Sequence, residues 1–270
     1  MANSKPAFSA QSGKLRTAVY AVIPFFTVAA IVAAWYISSA NGNSKIFPNP
    51  TQVVQRMLKL FTDPVAGTSL FGHIGISLLR AFKGLLISLV VGIPLGILIG
   101  WNNTFASTVG MLFELIRPIP PLAWIPLLVM WFGISESSKV AMVVLGAIIP
   151  VVVNSYTAVR LVPELYIQVG RMFNAATNYQ ILKNVVLPAS LPTIFAGIRN
   201  STSVAFMCVL AAEMLAADSG LGFLITRGMN AFDVPLIMCG MVLIGLIGAL
   251  ISVITNFIER KLCPWNTSIK

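Results

Sequence analysis

Gln168-Val-Gly-Arg-Met-Phe-Asn174 and Val185-Val-Leu-Pro-Ala-Ser-Leu-Pro192 lie within one polar segment that runs from Arg160 to Arg199. The segment interrupts a chain that is otherwise almost continuously apolar, and it is long enough to form structure of its own. On both sides stand apolar runs of the length that crosses a bilayer as helix, roughly 20 residues. The pattern predicts a short helical hairpin protruding into water between two membrane helices. A membrane protein with one folded knob of this kind offers a docking point to something soluble.

Composition supports the membrane setting. Of 270 residues, 57% are hydrophobic and only 10% are charged, against about 25% charged in an ordinary soluble domain. The mean hydropathy is +0.88. A transmembrane β-barrel would read as alternating segments of ~10 residues, whereas the apolar runs here are long and unalternating. The expected class is therefore all-α and membrane-embedded. The net charge of +10 would suggest nucleic acid in a soluble protein. In a membrane chain it reflects basic flanks that set orientation and meet anionic lipid headgroups, with an anionic solute as a second possible reason; nucleic acid is not an expected partner. Cys208, Cys239 and Cys263 are odd in number and lack metal-type spacing, so they imply neither a disulfide nor a zinc site. Met1 to Arg16 is polar, and the apolar run after it has the length of an anchor and no obvious small-residue cleavage site.

Six spans are predicted: Ala18–Ile37, Ser77–Trp101, Phe105–Phe132, Val140–Val159, Thr193–Leu215 and Val234–Phe257. The chain divides into residues 1–76 (tail, first span and an amphipathic connection), a transport domain at 77–257 and a basic tail at 258–270. With the N-terminus inside, an even number of spans returns the C-terminus inside. Ten basic residues then fall inside and seven outside, with Arg117 within a span, a modest bias in the positive-inside sense. Trp35, Trp101 and Trp131 fall at span ends, where amphipathic aromatics favour the interface. Outside, Pro50 to Phe61 has apolar residues at helical spacing. It fits either a short helix on the membrane surface or one packed on neighbouring spans. His73, at this outer edge, fits a surface or core role better than a ligand role.

The polar segment resembles the EAA loop of bacterial ABC-importer permeases. That pattern reads Glu-Ala-Ala, three residues, Gly, nine residues, then Ile-x-Leu-Pro. Here Val185-Val-Leu-Pro188 matches the end, and Gln168 to Asn174 occupies the beginning, with Gln for Glu, Asn for Gly and one extra residue between them. Asn is the next best residue for a left-handed turn; Gln keeps the length of Glu and loses its charge. The similarity extends to Ile116-Arg-Pro-Ile-Pro-Pro-Leu-Ala-Trp-Ile-Pro-Leu127, Trp131-Phe-Gly-Ile134, Ala211-Ala-Glu-Met-Leu215 and Ser219-Gly-Leu-Gly-Phe-Leu-Ile225, which are similar to the branch importing taurine, alkanesulfonates, nitrate and related anions.

The resemblance implies a type I importer permease of the bacterial cytoplasmic membrane. Two such subunits, commonly identical, form the pore. Two ATPase subunits each receive one coupling helix, and a periplasmic or lipid-anchored binding protein delivers solute. ATP and Mg would belong to the ATPase, since the chain has no G-x-x-x-x-G-K-[S/T] loop and no soluble domain large enough for a nucleotide; no cofactor is expected on this chain. The positions that would couple to the ATPase are Gln168, Gly170, Arg171, Phe173, Asn174, Ala175, Tyr179, Leu187 and Pro188. The Leu-Pro pairs at 187–188 and 191–192 are expected to stop the short helix and fix the turn into the fifth span, because proline cannot continue a helix from within.

Ionisable residues inside spans are costly and often functional. Glu114 and Arg117, three apart, share a helical face and can pair, structurally or along a solute path. The prolines at 118, 120 and 121 are expected to break the third span, making Pro120 a candidate for a gating bend. Asn154 in the fourth span and Ser201 and Ser203 in the fifth either line a polar route or bond between helices. Glu213 either faces the cavity or braces the outer loop, and the loop Asp218 to Asp233 has the glycines to fold back into the bundle. Gly92, Gly96 and Gly100 permit close helix contact. No constellation of His, Asp or Cys suggests catalysis or metal binding. The rival reading is a secondary transporter for a small organic or inorganic anion, which would carry an internal repeat with paired broken helices.

Overall fold

The computed structural model describes residues 23, 26–39, 47–173 and 177–262. The beginning of the predicted first span, the positions Asn174 and Ala175, and the tail after Leu262 lie outside this set. Among the described residues the chain forms ten helices. They are α1 (Phe26–Ser39), α2 (Pro50–Thr62), α3 (Leu70–Trp101), α4 (Asn103–Ile116), α5 (Pro121–Phe132), α6 (Glu136–Arg160), α7 (Glu164–Met172), α8 (Asn178–Leu215), α9 (Leu221–Asn230) and α10 (Val234–Leu262).

Each of α3, α6, α8 and α10 is long and apolar enough to cross a membrane alone, and α4 with α5 makes a fifth such unit bent by 85°. The described part of the first span, α1, is shorter. The bend falls where the prolines predicted it: α4 ends at Ile116, and Pro121 opens the first turn of α5. Gly133, with φ +69, then ends α5 and turns the chain into α6. Ser135 caps α6 by accepting a bond from the Ser138 amide.

The centre of the bundle is α6, held between a parallel α3 and an antiparallel α8. The α3 contact runs along a stripe of small residues with a spacing of four. A Cβ on Gly84 would stand 2.5 Å from the Val143 side chain, on Gly92 2.9 Å from Val151, on Gly96 2.5 Å from Ser155, and on Gly100 2.8 Å from the Tyr156 carbonyl. Ser88 continues the stripe and donates across it to the Val144 carbonyl at 3.2 Å. The three glycines read from the sequence are thus part of a longer seam. On the other face of α6, Gly146 leaves room for the Cys208 thiol and Gly197 admits Asn154.

The chain does not stop at Leu187-Pro188 or Leu191-Pro192. Helix α8 runs through both, and Pro192 lies inside it. The reason is a wide turn at Leu182–Val186, bonded i to i+5. A proline lacks the N–H of the i to i−4 ladder and its ring crowds the carbonyl four residues back. A π turn immediately ahead of Pro188 opens the helix there and removes both conflicts. The expected break became a bulge.

Two apolar clusters close the ends. At one end, Val53 and Leu60 of α2 pack with Leu70, Leu221, Leu224, Leu236 and Cys239. One strip of α2 thus packs on neighbouring spans, while Val54, Leu58 and Phe61 stay exposed. Helix α9 folds back between α8 and α10, with Leu221 and Leu224 fully buried. At the other end, Val159, Ile181 and Val186 pack with Trp101 and with Ile167 of α7. The bundle thus has an α2 end and an α7 end.

Because the α3–α6 seam is backbone on side chain, it has no room to yield. Gly96→Leu should cost at least ~1–3 kcal/mol of stability by overpacking, read as a lower unfolding temperature of the purified protein. Gly75→Ala, where an added Cβ meets nothing within 4 Å, should stay within ~0.5 kcal/mol of the parent.

Candidate functional site

Helix α7 is amphipathic and stands off the bundle. Glu164 lies in its first turn and Arg171 in its last, each complementing the helix dipole. Ile167 points inward to the cluster at the ends of α3, α6 and α8. Gly170 sits against α8 so closely that a Cβ there would lie 2.8 Å from the Val185 Cγ2. The opposite face is bare. Leu165, Tyr166, Val169 and Met172 are exposed, and Phe173 is 84% exposed. Between this face and Val185, Pro188 and Ala189 of α8 lies an open groove of about 770 Å³.

Of the other predicted coupling residues, Pro188 lines this groove, and Gln168, Arg171, Tyr179 and Leu187 lie outside its lining. Gln168 and Arg171 are exposed, as are Tyr179 and Pro188, while Leu187 is half-buried. Thr177 starts α8 with a capping box: its hydroxyl accepts from the Gln180 amide, and the Gln180 side chain accepts from the Thr177 amide, both at 3.2 Å. The cap fixes the return of the chain into the bundle.

A second polar group joins α4 to α6. The Arg117 guanidinium donates to Glu114 at 3.3 Å, the Tyr156 hydroxyl donates to the same carboxylate at 3.2 Å, and Arg160 lies 5.8 Å over the Tyr156 ring. Both members of the ion pair are about half exposed. Glu114 borders a cavity of about 220 Å³ together with Gly110, Phe113, Tyr156 and Arg160, and Arg117 is not part of its lining. Pro120 is exposed at the bend.

The remaining predicted path residues do not join this cavity. Asn154 is half-buried and donates to the Pro150 carbonyl at 2.8 Å, filling the space left by Gly197. Ser201 is enclosed and donates to the Ala147 carbonyl at 2.6 Å, so it ties α8 to α6 rather than opening to a route. Ser203 borders a separate cleft of about 190 Å³ between α8 and α10, with Arg199 and Thr202.

Glu213 is enclosed in a network at the α2 end, and of its two open roles the bracing one fits its contacts. Its carboxylate accepts from Arg80 at 2.8 Å, from the Ser77 hydroxyl at 2.8 Å and from the Gly222 amide at 2.9 Å. Arg80, only 3% exposed, spends all five donors: two on Glu136 at 2.5 and 2.7 Å, one on Glu213, and two on the Ser219 carbonyl and hydroxyl. Lys139 adds a second cation on Glu136 at 3.0 Å. Two cations thus face two carboxylates, and α3, α6, α8 and the turn before α9 are tied at one point. Gly220 (φ +118) fits because any Cβ would overlap the Glu213 carboxylate. Buried His73 completes the turn: Nδ1 accepts from the Gly220 amide and Nε2 donates to the Val65 carbonyl, which fixes a neutral imidazole. Of the surface and core roles left open for His73, the core one is realised. Arg80, Glu136 and Lys139 were not singled out there; a charge three residues into an apolar span was the available signal.

A bundle of apolar spans with a broken helix, a buried charge brace and one bare amphipathic helix at the opposite end defines a membrane transport subunit. The chain belongs to the family of binding-protein-dependent transport system inner membrane components, whose model matches residues 92–266. It is 37% identical over 229 residues, 84% of this chain and 85% of the relative, to a putative ABC transporter permease of Methanocaldococcus jannaschii. It is 31% identical over 251 residues, 90% of both chains, to the taurine transport system permease protein TauC of Escherichia coli. Permeases named for aliphatic sulfonates and nitrate match it at 31% identity. In fold it is similar to the MetNI methionine ABC transporter in an inward-facing conformation, with a TM-score of 0.64 at 21% identity, covering 77% of this chain and 98% of that one. The chain is thus a multi-pass permease subunit of an ABC importer.

Removing one charge from the brace strands the other. Arg80→Met leaves Glu213 buried without a counter-ion and should cost about 3–5 kcal/mol; Arg80→Met/Glu213→Met should recover much of that. Thermal unfolding of the detergent-solubilised variants checks both, and equal stability of Arg80→Met and parent would contradict the brace.

Proposed function

We propose that this subunit forms the pore through which a small anionic solute (taurine, an alkanesulfonate, nitrate or one of like chemistry) enters the cell, and that α7 takes up the thrust of a separate ATPase. The observation that carries this reading is the two-sided character of α7. One face is keyed into the bundle by Ile167 and Gly170, and the other presents Tyr166, Val169, Met172 and Phe173 to an empty groove. An apolar helix face left bare at a membrane protein's polar end fits a partner's groove, and a keyed helix cannot move without its neighbours.

In this reading α7 faces the cytosol, with both termini on that side, and α2 and α9 face outward towards a solute-binding protein. Two ATPase subunits hold ATP and Mg and engage two permease copies, identical in the simplest assembly; this chain holds no cofactor. ATPase closure draws α7 with α6 and α8, and the change reaches the α2 end as a tilt of the packed helices. Glu114, Arg117 and Tyr156, beside the bend at Pro120, are the polar groups placed to meet a solute within the span. The likeness to taurine, sulfonate and nitrate permeases supports an anionic cargo. The same likeness favours an ATP-driven importer over a secondary transporter.

Phe173→Asp should abolish copurification of the ATPase while membrane insertion and yield of the permease stay unchanged, since Phe173 supports nothing in the bundle. Loss of an aromatic anchor costs about 2 kcal/mol or more, a weakening of roughly 30-fold. Unchanged copurification would contradict the docking of α7. The solute that most stimulates ATP hydrolysis by the reconstituted importer identifies the cargo.

A further inference from the structure

Helix α2 is apolar over more of its circumference than the bundle covers. Val53 and Leu60 are buried in the cluster with Leu221, Leu236 and Cys239, and Cys239 also donates to the Val53 carbonyl at 3.2 Å. Beside this covered strip, Val54, Leu58 and Phe61 recur at the spacing of one helical face. They are bare, with Leu58 at 61% and Phe61 at 55% exposure. The rest of the circumference carries Thr51, Gln55, Lys59 and Thr62, all exposed. Three sectors therefore run along the helix: one against protein, one apolar and uncovered, one polar.

What lies against the uncovered sector is indicated by where it leads. The Phe61 ring meets Phe71 edge-on, with centroids 5.7 Å apart. Phe71 stands in the first turn of α3, and the bare apolar surface continues down that helix through Leu79, Phe82 and Leu86. The helix that carries this surface is long and apolar enough to cross the membrane. Lys59 is exposed in the polar sector and has no ion-pair partner among the described residues, and Arg56 is held by Asp233 at 2.8 Å, which fixes the roll of α2 about its axis.

We propose that α2 is a membrane-interface helix whose occupant on the Val54–Leu58–Phe61 face is phospholipid. Acyl chains cover Leu58, Phe61 and Phe71 as a continuation of the lipid around α3, and Lys59 meets headgroup phosphate. Such a helix lies in the interface plane with its apolar face sunk to the acyl boundary. Its seat also has a consequence for the bundle: through Arg56–Asp233 and Cys239–Val53, α2 sets the depth of the α9–α10 turn, so lipid holds the far end of the pore from outside. The proposal rests on membrane embedding and on no assumption about the cargo or the ATPase.

The test places the photoreactive residue p-benzoylphenylalanine at Val54, and in a second protein at Gln55, about 100° round the helix on the polar sector. Each full-length chain is reconstituted in vesicles of phosphatidylethanolamine and phosphatidylglycerol, irradiated and analysed by intact mass. Both positions are exposed, so neither replacement disturbs packing. The proposal predicts an added mass of one phospholipid at position 54, several-fold more abundant than at 55. A crosslink from position 54 to a second copy of the chain, equal lipid adducts at the two positions, or no lipid adduct at 54 would each overturn it.

Discussion

The contact between α3 and α6 sets α6 side chains directly against α3 backbone. In hydrocarbon there is no hydrophobic gain from pressing two apolar helices together, so association depends on close packing and on hydrogen bonds between them. Gly84, Gly92, Gly96 and Gly100 let the axis of α6 approach until its side chains touch the α3 backbone, and Ser88 adds a bond across the seam. With α8 packed on the other face through Gly146, Gly197 and Ser201, α6 becomes the spine to which both ends of the bundle are referred. Removing the small residues would free α3 from α6 and leave the end structures without a common frame.

The two ends are secured by different chemistry. At the α2 end the ties are directional: Arg80 meets two carboxylates, Ser77 and His73 hold the turn at Gly220, and α9 is wedged between its neighbours. Such a network, with every Arg80 donor satisfied, holds one geometry rigidly. At the α7 end the ties are apolar, with Ile167 and Gly170 keyed against Trp101, Val185 and Val186. The bent pair α4–α5 meets α6 through the Glu114–Arg117 pair and Tyr156, and through Leu128, which is buried in one cluster with Met142 and Val143. If α7 is pushed by an ATPase, as we propose, the spine moves with it and carries the bent pair.

Much of this was legible in the sequence because it depends on local rules. Run length and lack of charge marked α3, α6, α8 and α10 as spans, and Pro118, Pro120 and Pro121 marked the bend between α4 and α5; the first predicted span lies partly outside the described residues. The polar interval from Arg160 to Arg199 marked the protruding helix. The fate of Leu187-Pro188 was not legible: a proline stops an i to i−4 ladder, but the chain can widen one turn ahead of it instead. The charge brace was hidden because Arg80, Glu136 and Glu213 are far apart in the chain and their meeting is a product of the fold. Glu213 alone in an apolar stretch signalled a partner without naming it. The path residues fared unevenly for a related reason: a hydroxyl in an apolar helix, such as Ser201, bonds to the nearest carbonyl as readily as it lines a channel.

The central claim is that α7 and α6 move as one body. Spin labels at Arg171→Cys on α7 and Ser137→Cys at the far end of α6, in the reconstituted importer, measure the distance along that body with and without ATP. The account predicts the same distance in both conditions, while labels at Arg171→Cys on the two permease copies approach each other. A nucleotide-dependent change in the 171–137 distance would mean that α7 slides on the bundle instead of carrying it, and would contradict the account.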